Sequence, residues 1–315
     1  MPPIERLVFF GTPAVALPTL EALCGAGREP LLVVTQPARR AGRGQHTRQP
    51  PVAEWSLERG LEVAQPERVG DPVFVARLQA LVPDVAVVVA FGQIFPPAVL
   101  EVPRSGCINL HASLLPRHRG ASPVQAAIAA GDAVTGVTTM MMERGLDTGP
   151  ILRVEEIAIE PGENAGQLSQ RLGEIGAQLL LATLAGVEAG TLEPRPQDDE
   201  RATYAPVLTR EDGKIDWSLE AEGIERRLRA FTPWPGMATT YGGESIKVLE
   251  VEVGERDDGA FLPGTFLGVA HEGMRIACGG GSVLLVNRLQ RPGRRAVVGR
   301  DFANGLRLEP GDRFA

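Results

Sequence analysis

The sequence predicts a doubly wound α/β domain followed by a small OB-like β-barrel, and three observations carry that reading. Short apolar runs bounded by Gly or Pro alternate with helical patterns through the first two-thirds of the chain, which implies right-handed crossovers and an open sheet. Asp84–Ala90 (DVAVVVA) is apolar almost without interruption, as a strand covered on both faces must be. Later in the chain, short strand candidates are separated by Gly-rich turns at Gly242–Gly243, Asp258–Gly259 and Gly279–Gly281, the pattern of a small antiparallel barrel.

Arg6–Phe10 and Leu31–Thr35 are short, β-branched or aromatic, and read as buried strands, with a helix over Thr19–Gly25 between them. Gly106–Leu110 and Val134–Met142 read as further strands. Helices are expected at Pro51–Arg59, Pro72–Leu81, Pro123–Ala130 and Asn164–Ala185. The pattern then lapses into Pro, Asp and Glu (EPRPQDDE), so residues 191–208 are expected to link an N-terminal domain, 1–190, to a C-terminal domain, 209–315. One helical segment, Leu219–Phe231, opens the second domain.

At 315 residues the chain can bury two cores, and it shows no unbroken apolar run of the roughly 18 residues a membrane span needs. Its three cysteines, Cys24, Cys107 and Cys278, are far apart and form no CxxC pair, which points to a reducing cytoplasm. The net charge of −7 argues against a polyanionic partner until the arginines are located. Four of them (Arg39, Arg40, Arg43, Arg48) lie between Gln36 and Ala53 with no acid, and six (Arg275, Arg288, Arg291, Arg294, Arg295, Arg300) lie between Gly273 and Arg300, again with no acid. One such run is ordinarily a solvated face; two in an acidic protein suggest a nucleic-acid partner.

Ligands of open α/β sheets bind beyond the carboxyl ends of the strands. The first strand ends in Gly11-Thr12-Pro13, whose single glycine gives a dinucleotide site little support. The DVAVVVA strand ends in Phe91-Gly92-Gln93, where backbone can approach a flat ligand. The next ends in Asn109-Leu110-His111, and strand alternation puts Asn109 and His111 on one side, about 7 Å apart. An amide that can donate to a developing oxyanion, beside an imidazole that can manage protons, supplies the parts for acyl or formyl transfer. Asp147, between Gly145 and Gly149, is an acid with room to be aimed, and near His111 it would fix the imidazole's tautomer. Taken singly, each reads as structural: a histidine at a strand end, an aspartate in a turn. A metal site from His111, His118 and Asp147 is the competing chemistry, against which stand its spacing and the neighbouring Arg117 and Arg119.

With Asn109-x-His111, Ser113-Leu114-Leu115-Pro116-Arg117-x-Arg119-Gly120 and Gly145-Leu146-Asp147-Thr148-Gly149 in order, the sequence resembles the folate-dependent formyltransferases. That resemblance implies a Rossmann-like catalytic domain, no metal, and a donor, 10-formyltetrahydrofolate, contacted by Ser113, Leu114, Leu115 and Pro116 and by the Phe91-Gly92 loop. It implies that Asn109 and His111 steady the oxygen of a tetrahedral intermediate, while Asp147 supports His111 and helps relay the amine's proton. Thr35-Gln36-Pro37-x-Arg39-x-x-Gly42-Arg43-Gly44 resembles the branch of the family that formylates initiator methionyl-tRNA, as do Tyr204, Ile215-Asp216-Trp217-Ser218 and Arg229-Ala230-Phe231-x-Pro233-Trp234-Pro235-Gly236. By that likeness Arg39, Arg40, Arg43 and Arg48 grip the acceptor stem. The second acid-free run makes Arg291, Arg294 and Arg295 a further expected phosphate-binding face, and a monomer is expected. The chain departs from the branch after Gly44, where it reads QHTRQ with no lysine. A sugar amine is the alternative acceptor, and it would not need the arginine loop. A tRNA-binding protein without catalysis would not need the Asn–His–Asp set.

Overall fold

The computed structural model describes residues 3–41, 46–257 and 259–315. The chain divides into two compact units. One holds Met1–Val124, Ala133–Ala158 and Leu168–Pro206; the other holds Gln125–Asp132, Ile159–Gln167 and Val207–Ala315.

Seven strands build the sheet of the first unit: β1 (Leu7–Gly11), β2 (Leu32–Val34), β3 (Val63–Ala64), β4 (Val85–Val89), β5 (Cys107–His111), β6 (Val134–Met141) and β7 (Ile151–Ala158). Their spatial order is β7-β6-β5-β4-β1-β2-β3. The first five run parallel, whereas β6 is antiparallel to β5 and β7 to β6. β1 and β4 are buried along their whole length, which is why their sequences are uniformly apolar rather than alternating. The chain builds outward from β1 in one direction and then returns to β4 on its other side, so the topological switch point lies between these strands.

The helices are α1 (Leu17–Gly25), α2 (Pro51–Glu58), α3 (Pro72–Ala80), α4 (Pro97–Leu100), α5 (Pro123–Ala130), α6 (Ala165–Ala189), α7 (Ala221–Ala230) and α8 (Gly299–Leu306). The first four carry proline in their opening positions, where no intrahelical N–H is needed. Asp71 caps α3, accepting from the amides of Val73 and Phe74. The 25-residue α6 is long and apolar enough to cross a membrane by composition, with mean hydropathy 1.2. In the fold it covers β5 and β6: its Gly176 lies against Leu110, and its Thr183 hydroxyl bonds that of Thr139 at 2.9 Å. Two strands of this sheet escaped the sequence reading, the two-residue β3 and the edge strand β7, whose middle is exposed and charged.

The second unit carries an antiparallel sheet of β8 (Met237–Tyr241), β9 (Glu244–Val253), β10 (Phe266–Ala270), β11 (Gly273–Ala277), β12 (Val283–Gln290) and β13 (Val297–Val298). The path runs β8-β9-β12-β11-β10, with β13 on β12. Among the described residues β8 and β10 do not pair, so strand ladders alone do not close a barrel. The C-terminal residues join the two edges instead. Thr240 and Ala315 exchange backbone hydrogen bonds at 2.7 and 2.9 Å, the Phe314 amide donates to the Gly264 carbonyl at 2.9 Å, and the Phe266 amide donates to the Asp312 carbonyl at 2.7 Å. Gly264 is required there: it has φ +85, and a Cβ would stand 2.3 Å from the Phe314 carbonyl oxygen.

Candidate active site

The parallel strands β1, β2, β4 and β5 deliver their following loops to one edge of the sheet. At the switch point Thr12 Oγ1 and Gln36 Nε2 both donate to the Phe91 carbonyl, at 3.2 and 3.1 Å, which ties three of those loops together. On β5, Leu110 faces α6, while Asn109 and His111 share the other face and are 9% and 6% exposed.

Bringing Asp147 to these two side chains takes a backtracking loop. β6 runs against β5, and it ends with the Met142 amide donating to the Cys107 carbonyl, so the chain must return along β5 to reach Asn109 and His111. Gly149 allows this, because a Cβ there would lie 1.8 Å from the Met141 carbonyl oxygen. Asp147 itself takes φ +54, a left-handed conformation that Asp tolerates better than most residues. Its Oδ1 accepts from Asn109 Nδ2 at 3.4 Å, its Oδ2 accepts from the Gly120 amide at 2.8 Å, and Oδ2 stands 3.7 Å from His111 Nδ1.

The other imidazole nitrogen fixes the tautomer. His111 Nε2 lies 2.9 Å from the His118 carbonyl oxygen, which can only accept, so Nε2 carries a proton. The nitrogen free to exchange a proton is therefore Nδ1, the one that faces Asp147. The separation of 3.7 Å exceeds a direct hydrogen bond and leaves Nδ1 open to a third group. His118 meets His111 through its backbone, and among the described residues no cluster of His, Cys, Asp and Glu could hold a metal ion. Cys107, the first residue of β5, packs in the core, where burial pushes its thiol up to about 12.

The residues expected to hold the donor divide into two sets. The Phe91 ring is locked in an edge-to-face cluster with Phe10 and Phe95, so only its backbone is at the crevice, next to the exposed Gly92 at φ +82. Ser113 is fully buried, and its hydroxyl donates to the Arg117 carbonyl, closing the turn. Leu115 packs with Met140 and Ile151, leaving Leu114 and Pro116 as the half-buried, available members of that segment. Sequence reasoning missed two apolar side chains on the flanking loops, Ile94 and Leu146, which are 87% and 56% exposed. It also missed the wall built by residues 195–205. Ile151 and Arg195 exchange backbone bonds, and Tyr204–Ala205 pairs in parallel with Arg119–Gly120. A stretch read as a linker thus lies hydrogen-bonded against β7 and the loop that follows β5.

The basic residues also divide. Arg39–Ala41 and His46–Arg48 form a hairpin whose register sets Arg39 opposite Arg48, both exposed. Arg40 lies on that hairpin, and Arg43 falls outside the described residues. In the second unit Arg294 and Arg295 are exposed in the turn before β13. Arg291 is already paired: its guanidinium donates to Glu244 Oε2 at 2.6 Å. Arg275 and Arg288 are likewise paired, with Asp257 and Glu250. The acid-free run is therefore partly neutralised by acids distant in sequence.

A doubly wound sheet with an amide, an imidazole and a carboxylate brought together at the carboxyl end of β5 has the parts of a group-transfer site. Comparison with known proteins makes this specific. The family described as Formyl transferase matches residues 5–184, and Formyl transferase, C-terminal domain, matches residues 207–307. The methionyl-tRNA formyltransferase of Geobacter metallireducens is 46% identical over 308 residues, 98% of each chain. That of Acidobacterium capsulatum is 47% identical over 311 residues, covering 98% of this chain and 99% of its own. The chain belongs to the methionyl-tRNA formyltransferase family. Among solved structures it resembles an N-formyltransferase from Helicobacter canadensis in complex with folinic acid and dTDP-3-aminofucose (TM-score 0.63, 16% identity, 91% of this chain and 100% of that one). It also resembles HypX from Aquifex aeolicus in complex with tetrahydrofolic acid (TM-score 0.60, 16% identity, 98% of this chain and 50% of that one). At such identity the likeness is one of fold.

Proposed function

We propose that this chain transfers the formyl group of 10-formyltetrahydrofolate to the amino group of methionine on initiator tRNA. The observation that carries the chemistry is Asp147, whose two oxygens are held by Asn109 and Gly120 while one faces His111 Nδ1. The crevice suits a flat, partly apolar donor: Gly92 exposes backbone at the switch point, and Ile94 and Leu146 present uncovered apolar surface. The donor supplies an electrophilic formyl carbon. Asn109 Nδ2, now on a long bond to Asp147, is the donor placed to take a developing oxyanion. The attacking amine gives up one proton as it is acylated; Asp147 with His111 Nδ1 is the pair suited to receive it and to pass it to N10 of the folate as the formyl C–N10 bond breaks and tetrahydrofolate leaves. An amine of this kind titrates near or below ~7.7–8.0, so a substantial fraction is already neutral at cell pH and no strong base is needed.

The acceptor reading rests on the hairpin. Like charges directly opposite on paired strands repel, and the Arg39–Arg48 register is favourable once a polyanion lies over it. We assign the chemistry to the first unit, with Arg39, Arg40, Arg43 and Arg48 on acceptor-stem phosphates. The second unit serves as an OB-like platform whose Arg294 and Arg295 add phosphate contacts. The test is to incubate the protein and formyl donor with charged initiator tRNA, uncharged tRNA, free methionine and a sugar amine. Formyl mass gain on the charged tRNA alone is expected; gain on the sugar amine alone would overturn the acceptor assignment.

A further inference from the structure

Arg119 is a cation only 1% exposed, and none of the roles above uses it. Its Nε and Nη2 donate to Gln197 Oε1 at 3.0 and 2.8 Å, and Nη2 also reaches Asp199 Oδ1 at 2.7 Å. On the far side of the same amide, Gln197 Nε2 donates to the carbonyls of Asp147 and Gly149, at 2.8 and 2.7 Å. Both protons and the oxygen of Gln197 are engaged, and the orientation is forced. Turned over, the amide would set its oxygen against two carbonyls and its NH2 against a guanidinium.

The catalytic loop is therefore gripped twice by one dipeptide. The Gly120 amide holds the Asp147 carboxylate, and the Arg119 side chain, acting through Gln197, holds the backbone on either side of Thr148. The dipeptide is itself fixed by pairing with Tyr204–Ala205. We infer that Gln197 and Arg119 are positioning residues that set the Asp147 carboxylate against His111 Nδ1. This rests on the catalytic reading of Asp147 given above. Neither residue touches a reacting atom. Their effect passes through the placement of a loop whose left-handed Asp147 would otherwise be free to relax.

Gln197→Glu separates positioning from folding. It keeps both acceptor bonds to Arg119, now charge-assisted, and turns the face toward Asp147 and Gly149 from donor to acceptor. The expected result is a kcat lowered about 10- to 100-fold, as for an ångström-scale misplacement. KM for donor and tRNA should stay within about threefold, and the melting midpoint should fall only modestly, with the variant still folding cooperatively. A second readout does not depend on turnover: 15N NMR of the His111 ring, assigned with His111→Ala, should change in the same sense in Gln197→Glu and in Asp147→Asn. Wild-type kcat in Gln197→Glu, a change confined to KM, or a His111 spectrum and titration identical to wild type would overturn the inference. Full activity in Asp147→Asn would remove Asp147 from the chemistry, while the NMR comparison would still decide whether Gln197 positions it.

Discussion

Asp147→Asn looks like the removal of one charge, but in this site it does more. The wild-type carboxylate accepts from the Gly120 amide at 2.8 Å and from Asn109 Nδ2 at 3.4 Å. An asparagine has one acceptor and one donor in their place. With its oxygen on Gly120, its NH2 meets the Asn109 NH2; turned over, it meets the Gly120 N–H. Either orientation leaves a buried donor unanswered, at about 1–3 kcal/mol. The easiest escape is rotation of Asn109, which takes the oxyanion donor away from its place. Loss of the proton acceptor alone lowers the rate by about 10²–10⁴, equivalent to roughly 3–5.5 kcal/mol in the barrier. The expected outcome is therefore a kcat down at least a hundredfold, with tRNA affinity and donor KM nearly unchanged and stability modestly reduced. Single-turnover formylation followed by mass spectrometry, beside filter binding of tRNA, measures both quantities. A variant within tenfold of wild-type kcat would refute the assignment of Asp147 to proton transfer.

Gly149→Ala should lower kcat by about 10² without touching a reacting group, because its Cβ would meet the Met141 carbonyl at 1.8 Å and the loop carrying Asp147 must move; unchanged turnover would show that the loop can relax in place. Asp84 is buried. Burial opposes its charge, but the Arg6 and Glu5 amides and Arg104 outweigh it and hold the carboxyl below its ordinary 3.8. Its contribution is thus complete above that value and is lost as pH falls through the lower folded value, so the melting midpoint of Asp84→Asn should fall less steeply with acidification below about pH 4 than wild type. Arg39→Ala with Arg48→Ala, and Arg294→Ala with Arg295→Ala, should each flatten the salt dependence of tRNA affinity by about one unit of slope per lost contact. Arg291→Ala should leave that slope unchanged, because Glu244 already neutralises the guanidinium.

What was legible in the sequence is what is local. Asn109 and His111 share a face because a strand alternates, and that holds wherever the strand is placed. Asp147 drew notice because two glycines flank it, and those glycines let its loop double back. The illegible parts depend on partners far along the chain. Glu244 lies 47 residues from Arg291, so no window of sequence shows that cation as neutralised. Residues 191–208 have a linker's composition, yet Gln197 contacts a loop 48 residues earlier, an arrangement set by the pairing of Tyr204–Ala205 with Arg119–Gly120. Phe91 ends a strand in a loop that reads as ligand-facing, and only the packing of Phe10 and Phe95 turns its ring inward. Whether β8 and β10 pair or are joined by the chain's last residues is also a matter of tertiary geometry, which turn spacing does not encode.

The same division explains where this fold keeps its strain. Among the described residues six non-glycine residues have positive φ, and three of them, Ala90, His118 and Asp147, stand in or beside the loops of the candidate site. Each such residue costs of order 1–3 kcal/mol and persists only where its surroundings over-determine it. The surroundings here can be named. The His118 amide donates to Thr203 Oγ1 while its carbonyl takes the Nε2 proton of His111. The Asp147 carbonyl takes Gln197 Nε2 while its carboxylate takes the Gly120 amide. In both cases one contact holds the strained residue and the other sets a group of the proposed catalytic set, one choosing the tautomer of His111 and the other aiming the carboxylate at Nδ1. Both strained residues are held by the one segment, residues 197–205, that composition alone assigns to a spacer. Its removal would free the backbone to relax and take the site's geometry with it, even though the Asn–His–Asp set would remain intact in the sequence.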